Sequence, residues 1–410
     1  MAQDIRRRRI LQAAAATSIA IGTRRAHAEP PEVKVAVLAP LSGAWARQGL
    51  LMKEGAEMAI DDINAAGGIK ALGGAKMKLM LFDAGDSAEK AKDAAQRMVA
   101  QQPDLTGGSG AWLSSFTLAV TEVTERAQLP WLTLSYSDAI TSRGFRYVFQ
   151  TSETANKMAE DALPTIMKLA DSAGSKPTTV GIVSDNTASN ISFLKPIRES
   201  ELTKFGLKLV VDETYTPPLS DASTMVQRVR SRHPNFLLLL SSNVPDNKLM
   251  LDSFNEFGLG HGKLPLVGSG AALAASEMNQ VVGKDIIDGL LVIVSNWGGK
   301  GQEDLAKRFV ARTKEPWLGQ DSIQTYFDMS LLKYAVEQAG TADRNKVADV
   351  LRSIDITDGP AQYLPGRRVK FDDKGRLVGA SLVIVQWQDG IAVPVYPPAV
   401  ATDAAIWPKA

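Results

Sequence analysis

The chain has 410 residues, of which 45% are hydrophobic and 22% charged, with no cysteine. That length and balance exclude a disordered chain and a small disulfide-held scaffold, and allow more than one hydrophobic core. A formal net charge of +1 provides no basic excess for a nucleic-acid surface.

The first 28 residues read as an export signal that is removed. Arg6 to Arg9 precede a short, weakly apolar stretch from Leu11 to Gly22, and Ala26-His27-Ala28 has the small-x-small pattern of a cleavage site. Glu29 is therefore expected to begin the mature chain. Arg7-Arg8-Arg9-Ile10-Leu11-Gln12 resembles a twin-arginine signal, and an ordinary secretory signal with extra arginines is the alternative. Six Arg and one Asp leave with this segment, so 40 basic and 44 acidic side chains remain, a net charge of −4. No later apolar run is long enough to span a membrane. Without cysteine there is no lipidated N-terminal thiol, so the mature protein is expected free in the periplasm of a two-membrane bacterium.

"VKVAVLAP" at 33–40 is a continuous β-branched run, as a strand buried on both faces requires. A helix is predicted over 47–66, with Leu51, Gly55, Ala59 and Ile63 on one face and Gly67-Gly68 ending it. A strand follows at 77–82. Asp86 to Glu89 resembles a capping box opening a helix to Gln101. Further strands are predicted at 130–135, 179–184, 208–215, 235–241, 264–268 and 289–295. Helices are predicted at 113–127, 154–171, 190–205, 221–232, 245–257, 271–281, 302–314, 322–339 and 343–353. Segment 367–390 reads as two strands around Asp373-Lys374-Gly375. Alternating strands and helices point to α/β architecture with parallel sheets. The elements are too many for one sheet, so two lobes with a cleft between them are expected.

Gly108-Ser109-Gly110, between a strand and a helix, comes close to the G-x-S-x-G elbow of a serine hydrolase. A nucleophilic serine needs a base, normally histidine. Beyond the signal only His233 and His261 exist, neither with an acid at a suggestive position. No Walker loop or dinucleotide fingerprint appears, and two histidines without cysteine make a poor zinc site. No catalytic residue, cofactor or metal is expected. Asp61-Asp62 and Asp372-Asp373 read as solvated pairs.

A binding role makes better use of the same loops. In open α/β sheets ligands sit beyond the C-terminal ends of strands. Three loops expected there carry small hydroxyl residues and aromatics: 40–49 with Trp45, 108–115 with Trp112, Ser114 and Ser115, and 134–139 with Ser135, Tyr136 and Ser137. Helix N-termini offer free N–H groups to a carboxylate, and the aromatic rings offer an apolar wall.

Two long stretches carry a resemblance. "VAVLAPLSGAWARQGLLMKEGAEMAIDDINAAGGI" and "LSSFTLAVTEVTERAQLPWLTLSYSDAITSRGFRYVFQT", with the late helix "YFDMSLLKYAVEQAG" and "VKFDDKGRLVGASLVIVQWQDG", are similar to the leucine/isoleucine/valine-type substrate-binding proteins of ABC transporters. The resemblance covers 32–390. It implies the type I periplasmic binding fold: two doubly wound parallel-sheet lobes joined by a three-crossing hinge. Carried over, lobe one is 32–151 plus 297–366, lobe two is 152–296 plus 367–395, and 396–410 is a C-terminal tail. The crossings fall near Gln150, Asn296 and Pro365. The implied partners are a small solute and the permease and ATPase subunits of an importer, with no nucleic acid, and the implied state is a monomer. A sensor of the same fold that acts on a signalling partner is the alternative.

The family pattern places Trp45 beside the ligand and Ser114 or Ser115 at its carboxylate. Ser135, Tyr136 and Ser137 supply further contacts. Lobe two adds Asp185 to Ser189, and Ser242 with Asn243. Gly270 stands where amino-acid binders carry the acid for the ligand's α-amino group. A carboxylate or amide without a free α-amino group is therefore expected, unless Asp185, Asp246 or Asp138 reaches the cleft.

Overall fold

The structure is a computed structural model that describes residues 32–407. The export signal and cleavage site read in residues 1–28 lie outside the described residues.

The chain starts with β1 (Val33–Ala39), buried at nearly every position, followed by α1 (Ala46–Ala65), β2 (Met77–Asp83) and α2 (Ala88–Gln101). Ser87, not Asp86, caps α2, its side chain accepting from the N–H of Lys90. Next come β3 (Gly107–Gly110), α3 (Ser114–Arg126), β4 (Trp131–Thr133) and β5 (Val148–Gln150). These strands form an all-parallel sheet in the order β2-β1-β3-β4-β5.

After α4 (Ala155–Ser172) a second sheet begins. Its strands are β6 (Thr179–Asp185), β7 (Lys208–Tyr215), β8 (Phe236–Leu240), β9 (Leu266–Ser269) and β10 (Leu291–Val294). Helices α5 (Ala188–Pro196), α6 (Ser223–Arg232) and α7 (Val244–Glu256) cross between them. The chain then returns to lobe one through α8 (Glu303–Thr313), α9 (Gln320–Ala339) and α10 (Arg344–Ser353), and through a two-stranded ladder of β11 (Asp355–Ile356) with β12 (Val369–Lys370). Finally β13 (Val383–Gln388) and β14 (Ile391–Tyr396) extend the second sheet, giving the order β14-β13-β10-β9-β8-β6-β7. β13 is antiparallel to both β10 and β14.

Helix α9 anchors lobe one. It is buried almost all round because it lies between α1 and the sheet, with Ile323, Phe327, Leu331 and Leu332 in the core. Gly55 makes the α1–α9 crossing possible: a Cβ there would sit 2.1 Å from the carbonyl oxygen of Ser322. In lobe two, β8 is five consecutive buried apolar residues, each worth about 1.5–3 kcal/mol of burial.

Several expectations need correction. The long C-terminal hairpin turns at Asp389-Gly390, whereas Asp373-Lys374-Gly375 is a tight turn flanked only by β12 and a single bridge between Phe371 and Leu377. Gln150 and this turn exchange backbone hydrogen bonds, through Gln150 N–H to Gly375 O and Leu377 N–H to Gln150 O. Val369, Phe371 and Leu377 therefore belong to the core of lobe one, and the third crossing lies at 378–382 rather than at Pro365. Trp297 packs in the lobe-two core, so the second crossing runs past Asn296. The tail docks on lobe two, where Trp407 meets Phe236 edge-on and Ile406 N–H donates to Gln386. Instead of one helix over 271–281, a single turn at Ala271–Ala274 is followed by a short helix at Glu277–Val281.

Candidate functional site

Ser109 lies within β3 itself, not on a turn beyond it, and is fully buried. The glycines beside it serve packing. A Cβ on Gly108 would approach the Trp131 ring to 2.4 Å, and one on Gly110 would meet the carbonyl oxygen of Leu38 at 2.0 Å. The Ser109 hydroxyl donates to Asp328 Oδ2 on α9 at 2.5 Å. Burial pushes the Asp328 carboxyl up to about 7, while the Ser109 hydrogen bond opposes that rise. Both described histidines are exposed in lobe two: His233 closes α6 in the left-handed conformation, and His261 contacts the carbonyl of Asp285. Neither histidine is placed to act as base to Ser109.

A small cavity of about 40 Å³ opens between the lobes. Lobe one contributes Trp112, Leu113 and Ser114 after β3, Leu134, Ser135 and Tyr136 after β4, and Gln320 at the start of α9. Lobe two contributes Ser189 and Asn190 from the first turn of α5, Ser242 after β8, and Ser269 to Ala272 after β9. Each segment follows the C-terminal end of a parallel strand or begins a helix, where backbone N–H groups lack helical partners. Among the described residues, no charged side chain lines the wall.

Hydrogen bonds hold the wall in place. Ser135 Oγ donates to the carbonyl of Trp112 at 2.7 Å and lies 2.7 Å from Thr117 Oγ1. Ser114 Oγ accepts from the N–H of Ser137. Tyr136 Oη donates to Gln320 Oε1, which also accepts from the N–H of Ser295 at 2.8 Å. Burial raises the Tyr136 pKa, so the phenol stays a neutral donor. Trp112 has a φ of +71°, and its indole Nε1–H donates to Asp321 Oδ1 at 2.9 Å. Asp321 is fully buried, and its burial pushes the carboxyl up to about 6 against the Trp112 hydrogen bond. This carboxyl fixes the plane of the ring facing the cavity.

The lobes also touch at the mouth. Arg47 at the start of α1 pairs with Glu277 of lobe two and with Glu315 at 2.5 Å, and donates to Ser276 Oγ at 3.2 Å. Ser137 Oγ and Ser192 Oγ meet at 3.0 Å.

Of the residues expected in the site, the cavity brings together Trp112, Ser114, Ser135, Tyr136 and Gly270. Trp45 is outside it, packed edge-on against Phe116 with centroids 5.7 Å apart, because its short turn tucks the ring into lobe one's own core. Ser115 is exposed on the far side of Ser114, and Ser137 is buried behind it. Asn243 caps α7: its Oδ1 accepts from Asp246 N–H, and its Nδ2 donates to Asp246 Oδ2. Asp185 is 1% exposed and accepts five hydrogen bonds, from Thr187 N–H and Oγ1, Asn190 Nδ2, and Ser242 N–H and Oγ. The other two acids are also engaged. Asp246 receives Leu219 N–H and Asn243, and Asp138 receives Asn156 N–H and faces Arg376. Leu113, Leu134, Asn190, Ala272 and Gln320 escaped the sequence reading. Gln320 had one available signal, a polar residue opening a long apolar helix directly after Gly319.

Two lobes closing on a neutral, hydroxyl-lined cavity at their strand ends define a hinged solute-binding protein of the type I periplasmic binding fold. A sequence model of the periplasmic binding protein family matches residues 32–391, and the chain belongs to that family. As a member of that family it is a binding protein, not an enzyme. It is 28% identical over 396 residues to Leu/Ile/Val-binding protein homolog 8 of Brucella suis biovar 1, covering 93% of this chain and 95% of the relative. Its fold matches the substrate binding protein of the branched-chain amino acid transporter from Streptococcus pneumoniae in complex with isoleucine. That match has a TM-score of 0.73 at 18% identity and covers 88% of this chain and 99% of the other. It also matches a solute binding protein of an ABC transporter from R. palustris in complex with benzoate, with a TM-score of 0.74 at 19% identity over 92% and 99% of the two chains.

Proposed function

We propose that the protein is an exported receptor that closes on a small organic carboxylate lacking a free α-amino group and delivers it to the membrane permease of an ABC importer. The observation that carries this reading is the charge of the cavity. A buried ammonium needs a paired acid, because an unpaired charge is costly to remove from water. The wall offers no acid, and Asp185, Asp246 and Asp138 are each occupied by protein donors. Ser114 and Ser189 supply hydroxyl groups and Gln320 its amide N–H for carboxylate oxygens, assisted by the first turns of α3 and α5, while Ser135, Tyr136 and Ser242 donate within the protein and shape the wall. Trp112, Leu113 and Leu134 supply the apolar face for an aromatic or branched body. The benzoate complex of the R. palustris protein shares this fold, as does the isoleucine complex from S. pneumoniae, so the fold accommodates both ligand chemistries. In this reading the signal is cleaved after Ala28 and the receptor acts as a free periplasmic monomer.

Titration calorimetry with benzoate, phenylalanine, 3-phenylpropionate, leucine and 4-methylpentanoate tests the reading. The deaminated acids should bind at least ten-fold tighter than the matching amino acids, a gap of about 1.4 kcal/mol. An amino acid binding ten-fold tighter than its deaminated acid would overturn the ligand class while leaving the family unchanged.

A further inference from the structure

A second, smaller cavity, of about 10 Å³, sits at the hinge. All three stretches linking the lobes line it, together with the edge of lobe one: Thr151 and Glu153 from the first, Ser295 from the second, Gly379 to Ser381 from the third, and residues between Leu364 and Leu377 from lobe one. Glu153 is only 3% exposed, and both of its carboxylate oxygens are buried without a hydrogen-bond partner. The ligand cavity is a separate space and shares no lining residue with this one.

The charged groups around Glu153 form no ion pair with it, and the attraction of Lys157 only partly offsets its burial. On α4, Asp161 and Glu160 are like charges, and Lys157 is already paired with Asp161. Across the cavity, Arg368 is held by Asp355 through two hydrogen bonds of 2.8 Å. The rest of the wall is uncharged. A carboxylate in that setting is disfavoured by desolvation and by its acidic neighbours, so the site favours the neutral acid.

We propose that Glu153 makes the hinge proton-operated: with the three crossings packed around it the carboxyl is held neutral, and opening the lobes hydrates the cavity and lets it ionise. Nothing in the assignment of solute binding to the other cavity supplies this role. The direction follows from linkage. Burial first, and Asp161 second, raise the Glu153 pKa from 4.5 to about 8. If the open form restores the ordinary value, the closed form binds the proton more tightly. Between 4.5 and about 8, rising pH then favours opening, by up to about tenfold per pH unit, and above that window the effect is constant.

The absence of cysteine makes the test clean, because a single dye pair can be attached at Leu50→Cys on α1 and Ile191→Cys on α5, both exposed and on opposite lobes. Energy transfer in the ligand-free full-length mature protein reads lobe separation. The separation should grow as pH rises from about 5 to about 8 and then level off, whereas Glu153→Gln should stay at the closed value throughout. A separation that does not respond to pH, or that responds equally in Glu153→Gln, would overturn the proposal. Should that variant fold poorly, NMR titration of isotope-labelled glutamate carboxyl carbons in the unmodified chain reads the group directly. A glutamate titrating near pH 8 supports the proposal, and glutamates that all titrate at ordinary values refute it.

Discussion

Asp185 separates a structural acid from a ligand-binding one, and Asp185→Asn is the sharpest test of the site. The substitution keeps size and removes charge. Oδ1 now accepts from Thr187 N–H at 3.0 Å, Thr187 Oγ1 at 2.6 Å and Asn190 Nδ2 at 2.7 Å, while Oδ2 accepts from Ser242 N–H at 2.8 Å and Ser242 Oγ at 2.6 Å. Asparagine must turn an NH₂ toward one of these two sets. The hydroxyls can rotate away, but a backbone N–H cannot, so Thr187 N–H or Ser242 N–H is left facing another donor. An unsatisfied buried donor costs about 1–3 kcal/mol. The remaining hydrogen bonds also lose charge assistance, which roughly doubles such bonds. The expected loss is about 2–4 kcal/mol, read from urea unfolding as a fall in midpoint at constant slope. Calorimetry on the same variant should show the ratio of benzoate to phenylalanine affinity unchanged. A loss below about 0.5 kcal/mol, or a selective change toward or away from phenylalanine, would refute the reasoning and return Asp185 to the ligand.

Trp112→Ala should weaken binding of the preferred carboxylate by about 1–3 kcal/mol in calorimetry, whereas Trp45→Ala, outside the cavity, should leave affinity within a few-fold. Ser109→Ala should remain unreactive to a fluorophosphonate probe, as should the wild type. It should cost about 1–3 kcal/mol of stability, because Asp328 loses its buried donor. That hydrogen bond favours the ionised carboxylate, so the cost should be larger above about pH 7 than at acid pH, as urea unfolding at several pH values would show. In the wild type, the raised Asp328 pKa means its contribution to stability is full below 3.8 and is lost as pH rises to about 7. Arg47→Ala removes the tie across the mouth and should speed dissociation of bound carboxylate by roughly two- to tenfold in stopped-flow fluorescence, with little effect on association. Intact mass of the protein from the periplasmic fraction should begin at Glu29; retention of the first 28 residues there would refute the export reading.

Most of the parallel strands and long helices were legible in the sequence because their pattern is local. β8 is an uninterrupted apolar run and β1 is apolar but for Lys34, and the helices at 114–126, 244–256 and 303–313 lie within two residues of their predicted bounds. The loops that carry Trp112, Ser114, Ser135, Tyr136 and Gly270 were legible too, because chain order in a parallel sheet places the end of each strand on one side. The errors fall where a residue's role depends on a partner distant in sequence. Nothing near Asp185 announces that Ser242, more than fifty residues later, will saturate it. Nothing near Trp45 announces Phe116.

Composition and periodicity alone thus determined two α/β lobes and a cleft at their strand ends, since these depend on hydrophobic period and on the order of strands and helices. Only the tertiary structure decided which polar side chains remain free to meet a ligand. Asp185, Asn243 and Asp246 look as available as Ser114 or Ser189 when read along the chain, but buried polar groups must be satisfied, and the fold brings protein donors to those three first. The tertiary structure likewise decided where the hinge runs. Residues 369–377 join lobe one because Gln150 bonds to Gly375 and Leu377 across more than two hundred residues of chain, a pairing that no local pattern encodes.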